Sequence, residues 1–274
     1  MIKKILKKII SGINALYMEE RTAIANEMEF EVLRNGFWPV FNAGLWEPET
    51  LAFYRKHVSP LKEVIDIGAW IGPTVLMAYS LNPKKVSAVE ADPANYQVLK
   101  RNCLRNYLAD KVELHCVCIS DKTGETVNFG YIDKKDPDDS MKAIGKAGVK
   151  VKTVALKSFL QTKNLPDTNI IKIDIEGGEQ YIEEGLGYIA AFQGINILLS
   201  MHPPFWADLN KTTDMFLRVF QKFTVYSGKE EILPDGRWRE MISEKGNGSK
   251  PAKEMFFTLI LKTKILVDET GYNA

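Results

Sequence analysis

Cysteine is scarce in this chain: Cys103, Cys116 and Cys118 are the only three in 274 residues. No C-x-x-C pair and no histidine at zinc spacing occurs, which excludes a disulfide framework and a cysteine-based zinc module. An odd, sparse set reads as reduced thiols of a cytoplasmic protein. Cys116 and Cys118, two apart in a strand-like stretch, read as small core residues. No apolar run reaches the roughly 18 residues of a membrane span, and the h-region and cleavage site of a secretory signal are missing. Charge of one sign is missing too. The formal net charge is +1, so no global basic field points to nucleic acid. There is no internal repeat and no G-x-G-x-x-G. What is present, 45% apolar and 26% charged residues, suits one large α/β domain with extra elements or a small appendage.

The N-terminal "MIKKILKKIISGINALY" sets Ile2, Ile5, Leu6, Ile9, Ile13 and Leu16 at helical spacing, with Lys3, Lys4, Lys7 and Lys8 mostly off that stripe. Two roles stay open for it. A basic amphipathic helix can lie on an anionic inner membrane surface as a peripheral contact, or it can dock on the domain or on a second copy in a homodimer. A second helix is expected from Arg21 to Asn35, giving an N-terminal helical extension over 1–45. A short helix is expected over Glu47–Lys56. From residue 63 strands and helices alternate. "EVIDIG", "KVSAVEA" and "KVELHCVCIS" (111–120) read as three strands. Pro73 opens one intervening helix and Asp92 caps another with Pro93 just inside. "GETVNFGYI" and "VKTVAL" read as short strands around the charged stretch "DKKDPDDSMKAIGKAG". That stretch is a solvated loop or a lid over substrate. "NIIKIDIEGGE" and "INILLSMHP" resume the strands, followed by a helix near Thr212–Lys222. "KFTVYSG" and "EMFFTLILKTKI" are joined through turns without a helix, which makes them antiparallel neighbours. Residues 46–274 therefore read as one α/β domain with a doubly wound, mostly parallel sheet.

In such sheets ligands sit beyond the carboxyl ends of the strands, where strand order reverses. The turn Gly68–Gly72 follows the first strand, and Glu90 ends the second about twenty residues on. A carboxylate there can accept hydrogen bonds from both ribose hydroxyls of an adenosine. The pair alone does not separate NAD from S-adenosylmethionine. A dinucleotide requires the close glycine approach around its pyrophosphate. S-adenosylmethionine has no phosphate, and Asp66 could hold its ammonium group, directly or through water. The other reading of Asp66 is that it ties the turn together.

"KIDIEGGE" and "SMHPP" bring Asp174, Glu176, Glu179 and His202 to the same rim. Methyl transfer to a hydroxyl needs alignment and removal of a proton. Asp174 is the candidate for orienting the acceptor or taking its proton. His202, with a reference pKa near 6.5, is the second candidate base, or else it bonds a backbone carbonyl. Glu176 and Glu179 read either as acids favoured at a helix N-terminus or, with Asp174 and His202, as ligands of a divalent metal. No compact motif requires that metal. Lys172 lies inside an aliphatic strand and calls for an acidic partner, which Asp174, two residues on, can supply.

The chain resembles the FkbM family of S-adenosylmethionine-dependent methyltransferases. The matching pieces, in the family's order, are "WEPETL" (46–51), "VIDIGAWIG" (64–72), "AVEADPANYQVLKRNCLRN" (88–106), "CISDKTGETVNF" (118–129), "IKIDIEGGE" (171–179) and "MHP" (201–203). The resemblance implies a class I, Rossmann-like methyltransferase fold with a seven-stranded sheet and O-methylation of sugars, glycans or natural products. It also implies that Asp66, Gly68, Ala69 and Gly72 contact the methionine portion, Glu90 the ribose, and Ser120 and Asp121 the adenine region. Glu47 would close over the cofactor, or else serve as an ordinary helix N-terminal acid. Trp70 departs from the asparagine usual in "DIGANIG". Two rival functions remain in view. One is a nicotinamide-dependent oxidoreductase. The other is a catalytically silent protein of the cofactor fold within a membrane-associated glycan assembly complex.

Overall fold

The computed structural model describes residues 21–131, 142–145, 148–229, 231–233, 237–246 and 256–264. Both the basic stripe of residues 1–20 and the bulk of the charged 133–148 stretch, with its lid reading, lie outside the described residues. Strands β3 (Glu63–Ile67), β4 (Lys85–Val89), β5 (Val112–His115), β10 (Thr168–Ile173), β11 (Asn196–Met201), β12 (Phe223–Ser227) and β13 (Phe257–Thr263) form one sheet. Its order is β12-β13-β11-β10-β3-β4-β5. Every pairing from β5 to β11 is parallel, and β13 runs antiparallel to both its neighbours. This is the expected seven-stranded sheet, with the antiparallel strand inserted between β11 and β12.

Period-two alternation assigns the two faces. Ile65, Ile67, Ile171, Ile173, Ile197 and Leu199 bury into one core, while Val64, Val86, Ala88, Ile170 and Leu198 bury into the other. Helices α3 (Pro73–Ser80) and α4 (Pro93–Arg105) follow β3 and β4. Asp92 accepts the amide of Ala94 at 2.9 Å, as its capping position requires.

Four expectations are corrected. Arg21–Asn35 is not a helix but a hairpin of β1 (Thr22–Ala25) and β2 (Met28–Glu31). Its two-residue turn, Asn26 and Glu27, is left-handed at both positions. Alanine and glutamate favour helix in isolation, but tertiary partners override that preference. Asn102 of α4 and Asn106, which caps its end, bond the backbone of Leu33 and Glu31, and Asn42, ending α1 (Trp38–Asn42), brackets the outer edge of β1. Ala23, Ala25, Phe30 and Val32 of this segment share a core with Val64 and Val75. The strand expected over 111–120 breaks after His115. Cys118–Ser120 becomes β6 of a second sheet, pairing with β9 (Val149–Ala155), which also carries β7 (Thr126–Tyr131) and β8 (Lys142–Gly145). Cys116 is consequently exposed at the break rather than in the core, while Cys103 and Cys118 are buried. Finally, a helix, Arg237–Gly246, does separate β12 from β13. Its buried Trp238 and Ile242 are four apart, and Trp238 meets Phe220 edge-on at 4.8 Å.

Candidate active site

Strand order reverses between β3 and β10, and a cleft of about 330 Å³ opens there beyond the carboxyl ends of the strands. Gly68 and Ala69 both donate to the carbonyl of Val89 at 2.9 Å, which folds the chain sharply after β3. Gly68 has φ +84°, and a Cβ there would lie 1.7 Å from the carbonyl oxygen of Asp174. Only glycine allows β3 and β10 to meet this closely above their last hydrogen bond, Asp174 N–H to Ile67 O at 2.9 Å.

Asp66 and Lys172 are register partners on β3 and β10 and share a face. The Lys172 ammonium is 3.4 Å from Asp66 Oδ1 and 3.4 Å from Asp174 Oδ2, and it donates to the Gly68 carbonyl at 2.9 Å. The expected acidic partner is therefore present twice over. Burial pulls the Lys172 pKa down, but the charges of Asp66, Asp174 and Glu47 more than reverse this and hold it well above the ordinary value. Asp66 is sealed beneath the turn, where its Oδ2 accepts from Thr74 Oγ1 at 2.5 Å. Asp66 thus fastens the turn from behind and is not among the residues that line the cleft. Gly72, at φ +105°, caps α3 outside the lining.

Glu90 does line the cleft. Its Oε2 accepts the Trp70 amide and its Oε1 the Asp92 amide, each at 2.8 Å, leaving each oxygen room for one further donor. Burial raises its carboxyl to about 7 against the opposing pull of those two amides. Glu47 precedes α2 (Pro48–His57) in a left-handed conformation (φ 38°) and stands at the lip of the cleft. Loss of hydration against the cleft wall, then the Asp174 charge, raises it to about 7. The residue stays open to water, which screens that effect. Val117, Cys118 and Ile119 form the wall toward β6, and Ser120 and Asp121 lie just beyond, bonded to each other at 3.0 Å.

At the far rim Asp174 and Glu176 line the cleft, while His202 and Glu179 sit behind them. Glu179, fully buried, accepts from His202 Nδ1 at 2.8 Å, Trp206 Nε1 at 2.8 Å and the Gly177 amide at 3.1 Å. It is neither a solvated helix acid nor a free ligand; it is the anchor of His202. Because an ionised carboxylate only accepts, Nδ1 carries the proton and Nε2 points to Asp174 (3.6 Å) and Glu176 (3.4 Å). Burial would lower the His202 pKa, but the Glu179 charge and hydrogen bond, then Glu176 and Asp174, push it up to about 10. In this state His202 holds its proton, so the reference value near neutrality does not describe it.

Sequence reasoning missed Thr74, Trp206 and the aromatic pair Phe37 and Trp46, which extends the wall begun by Trp70, the residue already singled out in the glycine turn. Phe37 meets Trp70 edge-on at 4.6 Å and Trp46 at 5.3 Å. The cluster "GFWPVFNAGLW" was the available signal; Trp206, four residues past His202, had none.

The strand order, the glycine turn at the switch point and the acid ending the next strand define a class I methyltransferase fold. The sequence pattern of the Methyltransferase FkbM domain matches residues 66–223, and the protein belongs to that family. The nicotinamide alternative is thereby set aside. No curated protein matches the chain in sequence. Among solved structures, the chain is similar to a TehB-like SAM-dependent methyltransferase from Corynebacterium glutamicum, at 10% identity and TM-score 0.43, over 82% of this chain and 92% of that one. It is also similar to the YcgJ protein from Bacillus subtilis, at 12% identity and TM-score 0.41, over 79% and 99%. Likenesses this remote carry no chemical argument. The family implies S-adenosylmethionine, and the residues present fit it. Glu90 offers unused acceptor capacity to a ribose, Gly68 keeps the turn bare, and Val117, Ile119 and Tyr181 offer apolar surface for a flat base.

Proposed function

We propose that the protein transfers a methyl group from S-adenosylmethionine to a hydroxyl of a sugar, glycan or related natural product. The observation that carries this reading is a single cleft shared by Glu90 and the bare turn on one side and Asp174 and Glu176 on the other. When bound, the cofactor supplies an electrophilic methyl group. Glu90 holds the ribose and the Gly68–Ala69 turn the methionine end. Asp174 orients the acceptor hydroxyl and takes its proton. His202 steadies Asp174 and Glu176 through Nε2, and the Val117–Ile119 wall excludes water from the adenosine side. Aromatic faces from Phe37, Trp46, Trp70 and Phe205, interleaved with Glu47, Glu176 and Gln180, suit a ring with one apolar face and several hydroxyls.

Equilibrium titration with S-adenosylhomocysteine and with NAD is the direct test, followed by transfer of labelled methyl groups to a glycan panel. Binding of the first ligand alone, and methyl transfer that falls in Asp174→Ala while cofactor binding persists, are the expected results. Tight NAD binding without response to S-adenosylhomocysteine overturns the assignment.

A further inference from the structure

Asp174, Glu176 and His202 each offer a ligand atom, and these atoms all lie within 4.8 Å of one another. We propose that the three side chains bind one divalent transition-metal cation on the acceptor side of the cleft. One imidazole with two carboxylates is a donor set for first-row divalent ions, softer than the all-oxygen cages of calcium. A second observation points the same way. His202 is only 4% exposed, and its Nε2 faces Asp174 Oδ1 at 3.6 Å and Glu176 Oε2 at 3.4 Å. Its ring is set from behind: Nδ1 is held by Glu179, which is itself fixed by Trp206 and the Gly177 amide. A carboxylate that binds the far nitrogen of a ligating histidine is the arrangement that orients imidazole toward a metal. Three carboxylates surround this one imidazole, and a divalent ion offsets more of their charge than a single proton does. Asp174 and Glu176 also line the cleft, so an ion held by them is reached from the acceptor side. This deepens the methyl-transfer reading, whose site it shares, but its readout needs no methyl transfer.

The test is titration of the full chain with Mn²⁺, followed by loss of the free-ion electron paramagnetic resonance signal. S-adenosylhomocysteine is titrated into the same samples. One Mn²⁺ per chain is expected in the wild type. Glu176→Gln, a partly exposed position, weakens binding at least about tenfold, and Glu179→Gln weakens it about 10–100-fold although it touches no ion. Glu184→Gln, whose side chain is 83% exposed, binds as the wild type does. No binding, or equal binding in all four proteins, overturns the inference and leaves His202 as the cation of a carboxylate network. S-adenosylhomocysteine binding without Mn²⁺ binding refutes the metal site alone. Mn²⁺ binding without S-adenosylhomocysteine binding supports the metal site and refutes the cofactor reading. Should Glu179→Gln lower the unfolding temperature, Glu176→Gln decides alone.

Discussion

Replacing Lys172 with methionine removes a buried charge while nearly keeping the length of the side chain. The ammonium is 2% exposed and stands between two carboxylates, each 3.4 Å away. Without it Asp66, completely buried, and Asp174 face each other across the turn with no cation between them. Removing one partner of a buried ion pair costs about 3–5 kcal/mol, because the remaining charge stays desolvated and uncompensated. A domain's whole stability is about 5–15 kcal/mol, so the loss is large. The lost bond to the Gly68 carbonyl adds to it and loosens the turn. Urea unfolding followed by tryptophan fluorescence gives the midpoint and hence the difference. Adding Asp174→Asn to Lys172→Met recovers part of the loss, with a coupling of about 1–3 kcal/mol. A loss below about 1 kcal/mol, with unchanged S-adenosylhomocysteine affinity, would refute the claim that Lys172 is the electrostatic keystone of the turn.

Three further outcomes follow from the same geometry. Gly68→Ala places a methyl group against the Asp174 carbonyl at a left-handed backbone position, so cofactor binding is lost in calorimetry; unchanged affinity would show that β3 and β10 can move apart. Burial raises the Glu90 pKa to about 7, so its contribution to stability is complete below the unfolded carboxylate range and disappears as pH rises through about 7. Ribose hydroxyls donate to the ionised form, so S-adenosylhomocysteine affinity rises over that interval in the wild type and stays flat in Glu90→Gln; a flat wild-type profile contradicts the ribose assignment. Asn102→Ala leaves the Leu33 amide and Ile71 carbonyl unpaired, costing about 1–3 kcal/mol in urea unfolding. A neutral result would mean that the hairpin does not depend on α4.

Much of the framework was legible because its signals are local. Aliphatic runs at 63–67, 85–89, 168–173 and 196–201 mark strands buried on both faces, and Pro73 and Asp92–Pro93 mark helix starts. The Arg237–Gly246 helix was not read from the sequence, because the turn residues around it masked the four-residue spacing of Trp238 and Ile242. Among described residues no helix is long and apolar enough to cross a membrane, in keeping with the lack of apolar runs.

At the site, the sequence by itself determined which acids and glycines stand at strand ends, since strand order and the two-residue period place them there. Tertiary structure alone decided their roles. Asp66 faces inward because Thr74 and Lys172 claim it, and Glu179 serves His202 and Trp206 from 23 and 27 residues away. The hairpin at 22–31 forms because side chains more than 65 residues distant complete its hydrogen bonds. Local pattern sets what a segment prefers and which face each residue takes. Which partner satisfies a buried polar group depends on the few donors and acceptors that folding brings within about 3 Å, and no spacing along the chain encodes that.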